Sequence, residues 1–385
     1  MDNIFQYNKY VIGKQFLGRG VEVRALANLL TQGENVVIYE PPKTGRKSLV
    51  QQGLYTMKSS GAQFVTAQLT LLDIRTQADF ALRLAGTVLN TVGNNPADLS
   101  RVAKELLPET HFVFDENRFS AFGEPLSLQG ALDQGDLLAA FLLPYRIGKS
   151  TGVKRIVVID EFQNVMQTED GDRICQLMEE VFKTLPAELA DGASYVFLGS
   201  QVNAMHEIFG VKRWFWRQVE RLRIPPLDTR DIIDHVVKGF LATGKVVDRD
   251  LLLGVCRLFR NNIWYINHFC AICDSLSRGY IMEQILKEAL DSLVAVHEPA
   301  YVAIMNDLTT FQVSLLRAIL DGHTRFSSAE VIRQYNLNSS ANVRRLKDAL
   351  SKKEIVTFDE DDNPVVLDPL FEYWVRKEYF NMPVA

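Results

Sequence analysis

The chain has 385 residues, of which 47% are hydrophobic and 23% charged, and its formal net charge is −5. That is the balance of an ordinary globular protein of more than one domain, and it excludes nucleic-acid binding by bulk positive charge. No apolar run approaches the ~18–20 residues of a membrane span.

The start, MDNIFQYNKY, has neither the basic head nor the apolar core of a signal peptide. Four cysteines without a disulfide-like framework suit a reducing compartment. The chain therefore reads as cytoplasmic, with no membrane partner.

Residues 36–50, VVIYEPPKTGRKSLV, carry the most chemistry. Val36, Val37, Ile38 and Tyr39 read as a buried strand, a loop with Pro41, Pro42 and Gly45 follows, and a helix then runs through Leu49, Val50 and Leu54. Such a strand, loop and helix start can hold phosphate, because backbone N–H groups and the positive end of the helix dipole point at the anion. The pattern G-x-x-x-x-G-K-[ST] is matched in no register. With Gly45 as its last glycine, Arg46 replaces the lysine, Lys47 the magnesium-binding hydroxyl and Glu40 the first glycine. With Lys47 and Ser48 as the Lys-Ser pair, Arg46 replaces a glycine whose missing side chain lets backbone approach phosphate. Leu49, four residues past Gly45, opens the buried helix face and favours the first register. The candidate phosphate-binding residues are Pro42, Lys43, Thr44, Gly45, Arg46, Lys47 and Ser48. The plainer alternative is an ordinary strand-to-helix turn.

Residues 63–70 read as a second strand. Residues 112–149, with Gly123, Pro125, Gly130, Gly135 and Pro144, read as a loop-rich insertion. Residues 156–159 form an apolar strand ending in Asp160 and Glu161. Strands of a parallel sheet are apolar throughout, and acids at their C-terminal ends face the ligand crevice. There Asp160 can hold Mg²⁺ through water, and Glu161 can orient or deprotonate the attacking water. The alternative is an acidic helix cap. Residues 195–198 form a third such strand, ending in Gly199, Ser200 and Gln201. Gln201 or Ser200 is placed to read a γ-phosphate or the attacking water, against the alternative of a Gly-Ser turn.

Residues 211–227 interleave Lys212, Arg213, Arg217, Arg221 and Arg223 with Trp214, Phe215 and Trp216. An arginine finger, a nucleic-acid contact and a solvated basic loop with its aromatics on the core all fit, the last somewhat better. Residues 227–306 read as helical, opened by Asp228 or Thr229. Within them Cys270 and Cys273 have no second pair at zinc spacing, so they read as core cysteines. Residues 307–385 follow the order helix, helix, helix, hairpin, helix, with Thr309, Ser327 or Ser328, and Asn338 or Ser339 as caps. This is the winged-helix plan. Its third helix carries Arg344, Arg345, Lys347, Lys352 and Lys353 against Asp348 and Glu354, which suits DNA. The acidic turn of the wing, Asp359 to Asp362, would repel a DNA backbone, with a protein-interaction module or an internal packing domain as the alternatives.

Taken together, the box FLGRGVEVRALANLL (residues 16–30), EPPKTGRKSLV, VVIDEF, FLGSQ and the winged helix resemble the archaeal-type ATPase family of P-loop proteins, related to the AAA+ and STAND NTPases. The resemblance implies an α/β P-loop domain at 1–226, a helical lid at 227–306 and a winged helix at 307–385. It places Arg46 at the family's lysine and Lys47 at its Ser/Thr. It further implies ATP as cofactor, Mg²⁺ at Asp160, catalysis by Glu161, Asp160 and Gln201, and possible homo-oligomers. The expected function is a nucleotide-dependent switch with weak or slow hydrolysis; the alternative is a non-catalytic scaffold or a DNA-binding regulator.

Overall fold

The structure is a computed structural model that describes residues 4–383. Residues 1–3 of the MDNIFQYNKY stretch and residues 384–385 of the expected winged helix lie outside the described residues. By contact the chain forms two units. One takes Gly20–Glu40 and Arg46–Ile224. The other takes the chain up to Arg19, the short piece Pro41–Gly45, and everything from Pro225 onward.

The first unit is built on five parallel strands: β1 (Val36–Tyr39), β2 (Phe64–Thr70), β3 (Lys154–Asp160), β4 (Ala193–Gly199) and β5 (Glu220–Arg221). Their order is β2-β3-β4-β1-β5. β1 and β4 are buried along their whole length and β3 from Arg155 onward. Burial on both faces explains their unbroken apolar runs. Because all strands point one way, Tyr39, Asp160 and Gly199 end at the same edge of the sheet. β5 is two exposed residues long and lies inside the basic segment, so no apolar pattern announces it. In that segment Phe215 is buried, whereas Trp216 is exposed.

Residues 112–149 depart from the loop-rich reading. Phe112–Phe114 and Leu126–Leu128 pair as an antiparallel ribbon around the helix Glu116–Phe122. The helix Gln134–Thr151 follows, opened by a capping box of Asp133 and Asp136. Pro144 sits inside this helix, where it removes one N–H donor. Burial of Leu137, Phe141, Leu143, Tyr145 and Ile147 offsets that loss. The same helix fixes β4, since Tyr195 donates from Oη to the Phe141 carbonyl at 2.8 Å.

In the second unit Asp228, Asp248 and Asn262 cap the helices Thr229–Ala242, Arg249–Leu258 and Ile263–Leu276. A long helix, Glu283–Asn306, comes next. Thr309, Ser328 and Ser339 then cap Thr310–Leu320, Ala329–Gln334 and Ser340–Lys352. The antiparallel hairpin Val356–Phe358 with Pro364–Val366 and the helix Pro369–Trp374 complete it. One hydrophobic core runs from Ile232 through Phe269 and Leu293 to Leu315 and Trp374. Phe5 belongs to that core, and Tyr7 stacks on His268 with ring centroids 4.1 Å apart. Cys256, Cys270 and Cys273 are free and buried within it. Among the described residues no helix is long and apolar enough to cross a membrane.

Gly148 is a point of close backbone approach. A Cβ there would lie 1.9 Å from the Gly192 carbonyl oxygen, in the turn that leads into β4. Gly148→Ala is expected to cost ~2–3 kcal/mol through forced separation of helix and turn, read as a lowered urea midpoint with an unchanged slope.

Candidate phosphate-binding site

The turn after β1 is shaped by backbone and side chain together. Thr44 Oγ1 donates to the Pro41 carbonyl at 2.9 Å. Gly45 has φ +89°, a left-handed conformation that favours glycine. The helix Arg46–Ser59 begins at the next residue, with Leu49 and Val50 buried beneath it. Lys43, with φ +69°, also takes the left-handed region, which is uncommon outside glycine.

Arg46 turns inward and is 8% exposed. It donates to the Glu40 carbonyl at the end of β1, and its Nη2 lies 3.6 Å from Glu161 Oε1. Burial pulls the guanidinium below its ordinary range, opposed by Glu161, Asp160 and Glu40. Lys47 reaches the other acid, with Nζ 2.6 Å from Asp160 Oδ2. Asp160 Oδ1 is buried without a hydrogen-bond partner among the described residues.

Glu161 is held from three sides. It has φ +55°, and besides Arg46 it accepts from Ser200 Oγ and, at 2.6 Å, from Gln163 Nε2. Phe162, the next residue, is fully buried against Phe197, Phe209 and Phe215, which pins the strand end that carries both acids. Of the two residues weighed at the tip of β4, the structure brings Ser200 to Glu161; Gln201 is exposed and opens the helix Val202–Phe209. Gln163 escaped the sequence reading, although its place two residues after Glu161 in DEFQN was the available signal. Ser48 is half-buried and Pro42 exposed. At the other side of β1, Arg221 stacks over the Tyr39 ring at 3.9 Å.

The residues present do not fit Mg²⁺. The ion requires near-octahedral oxygen ligands, and here the Lys47 ammonium already occupies the Asp160 carboxylate. Arg46 and Lys47 open the helix, where the dipole adds positive potential.

Comparisons with known proteins agree with this architecture. The chain is similar to the Walker-type ATPase of Pyrococcus abyssi, with a TM-score of 0.65 and 14% identity over 97% of this chain and 99% of that one. The ORC2 protein of Aeropyrum pernix, solved as ADPNP–ADP complexes, gives 0.54 and 15%, covering 96% and 94%. The ORC1 protein of the same organism, solved in complex with DNA, gives 0.50 and 13%, covering 98% and 96%. Residues 299–377 match a family model described as "Probable winged helix domain". A search of the curated proteins finds no match. The fold is shared with these proteins: a parallel-sheet α/β unit followed by helices and a C-terminal winged helix.

Arg46→Met is expected to destabilise the protein by ~2–3 kcal/mol, because it leaves Glu161 and the Glu40 carbonyl short of a donor. Combining it with Glu161→Gln is expected to cost less than the sum of the two single changes. A double-mutant cycle by urea unfolding measures this.

Proposed function

We propose that this chain is a nucleotide-binding switch that holds ATP at the loop amides and Arg46, without need of Mg²⁺ and with little hydrolysis. The observation that carries the reading is the 2.6 Å contact between Lys47 Nζ and Asp160 Oδ2. An ammonium stands at the acid that would otherwise hold the metal ion. The Lys47 side chain is 62% exposed, so the pair adds ~0–1 kcal/mol to stability and can yield to an incoming phosphate. Arg46 can supply further charge to phosphate oxygens.

Slow turnover follows from how Glu161 is held. A carboxylate has about four lone-pair sites, and Arg46, Ser200 and Gln163 already address this one. Glu161 would orient or deprotonate water only as these donors give way, with Ser200 or Gln201 as the strand-tip residue and Asp160 balancing Lys47. The fold shared with proteins solved as ADPNP and ADP complexes supports the nucleotide.

Titration of labelled ATP is expected to give the same affinity in EDTA as in excess Mg²⁺, and Lys47→Ser is expected to introduce a magnesium dependence. Binding that requires Mg²⁺ in the unaltered chain would overturn the reading. Any residual hydrolysis is expected to vanish in Glu161→Gln; an undiminished rate there counts against Glu161 as the catalytic group.

A second reading, a DNA-binding regulator, is favoured by the exposure of Arg344 and Arg345 on the helix Ser340–Lys352. The other cations are partly engaged: Lys347 pairs with Asp362 of the wing and lies 4.2 Å over the Phe358 ring, and Lys353 pairs with Asp307. Salt-dependent binding to duplex DNA, lost on Arg344→Ala/Arg345→Ala, is the result that reading requires.

A further inference from the structure

Lys43 behaves unlike the other two cations of the loop. Arg46 and Lys47 meet the strand-end acids, whereas the Lys43 ammonium lies 4.4 Å from the Trp264 ring centroid and 4.5 Å from that of Tyr265. It also donates to Tyr265 Oη at 3.0 Å. A tyrosine hydroxyl has a single proton to give, and Tyr265 gives it to Asp368, whose oxygens lie 2.7 and 2.8 Å away. Tyr301 adds a longer bond to the same carboxylate at 3.4 Å. Asp368 in turn accepts the N–H groups of Leu370 and Phe371 at 2.9 and 3.2 Å, and so caps the helix Pro369–Trp374.

The order is cation, hydroxyl, carboxylate, helix start. Each donor polarises the next, and in a site removed from water such chains strengthen cooperatively. A cation also gains from the faces of two aromatic rings. Burial lowers the Lys43 ammonium, opposed by Asp368, while burial and then Asp368 raise the Tyr265 phenol, so it keeps its proton to donate. Burial, and then the charge of Lys43, push His297 down to about 4, and it brings no rival positive charge to the cluster at neutral pH.

We propose that Lys43, Tyr265 and Asp368 form a latch, in which the loop's lysine is held, through Tyr265, by the residue that caps the helix Pro369–Trp374. The loop then cannot offer Lys43 to an anion without loosening that cap. The reading of the loop as a nucleotide site supplies only what trips the latch, so the tie is tested in the free protein.

The measurement is hydrogen–deuterium exchange of the full chain, followed by mass spectrometry. Lys43→Met keeps an apolar stem on the rings and removes the charge. Without nucleotide it is expected to raise exchange about fivefold at Leu370 and Phe371, as for loss of one charge-assisted bond. Peptides from the helix Ser340–Lys352 are expected to stay unchanged. Tyr265→Phe, which keeps the ring, is expected to give the same pattern, and serves alone should Lys43→Met not fold. Exchange at Leu370 and Phe371 equal to that of the unaltered chain in these variants overturns the latch. In a second arm, saturating ATP is expected to raise exchange there in the unaltered chain; ATP that binds without this effect also overturns the latch. ATP that does not bind overturns the nucleotide reading instead, and the comparison without nucleotide still decides the latch.

Discussion

A buried guanidinium must be paired where it lies, and Arg46 is the residue around which the α/β unit is organised at the C-terminal edge of its sheet. Left without partners in a site of low dielectric, such a charge is worth several kcal/mol of penalty. Its two partners follow strands that are not neighbours: Glu40 comes directly after β1, Glu161 directly after β3, and β4 runs between those two strands. One side chain therefore ties the start of the loop helix to two strand ends. The aromatic cluster of Phe162, Phe197, Phe209 and Phe215 holds the acidic strand end from below.

That arrangement changes what a loop of this shape can offer a ligand. The usual lysine and hydroxyl of such a loop address phosphate and metal from the helix start. Here Arg46 and Lys47, at the helix start, address protein carboxylates. Lys47 is exposed and its contact exchangeable, whereas Arg46 is buried and its contacts are structural. The third cation, Lys43, is held away by two rings and a hydroxyl. All three positive charges between Pro41 and Ser48 thus have protein partners, and an anion bound there would compete for them. This is the physical sense in which the chain is read as a switch.

Much of this was legible beforehand, and particular residues show why. Val36–Tyr39, β3 and β4 are short apolar runs ending in turn or acidic residues, and strands buried on both faces look like that anywhere. The capping residues Asp228, Thr309, Ser328 and Ser339 act within three residues of themselves, so their role is written locally. The helix Gln134–Thr151 was missed because its apolar residues surround it on all sides, and Pro144 with two glycines imitates a loop. β5 was missed because two polar residues become a strand only by pairing with β1.

The sequence by itself determined the strand and helix menu, the parallel α/β class, the winged-helix order and the anomaly of Arg46 and Lys47 after Gly45. Those depend on periodicity, caps and residue type over a few positions. Only the tertiary structure decided which partner each loop cation takes, that Ser200 and Gln163 close on Glu161, and that Lys43 is caged by residues more than two hundred positions away. Such pairings follow from where separate strands and helices end in space, and no local pattern in the chain encodes that distance.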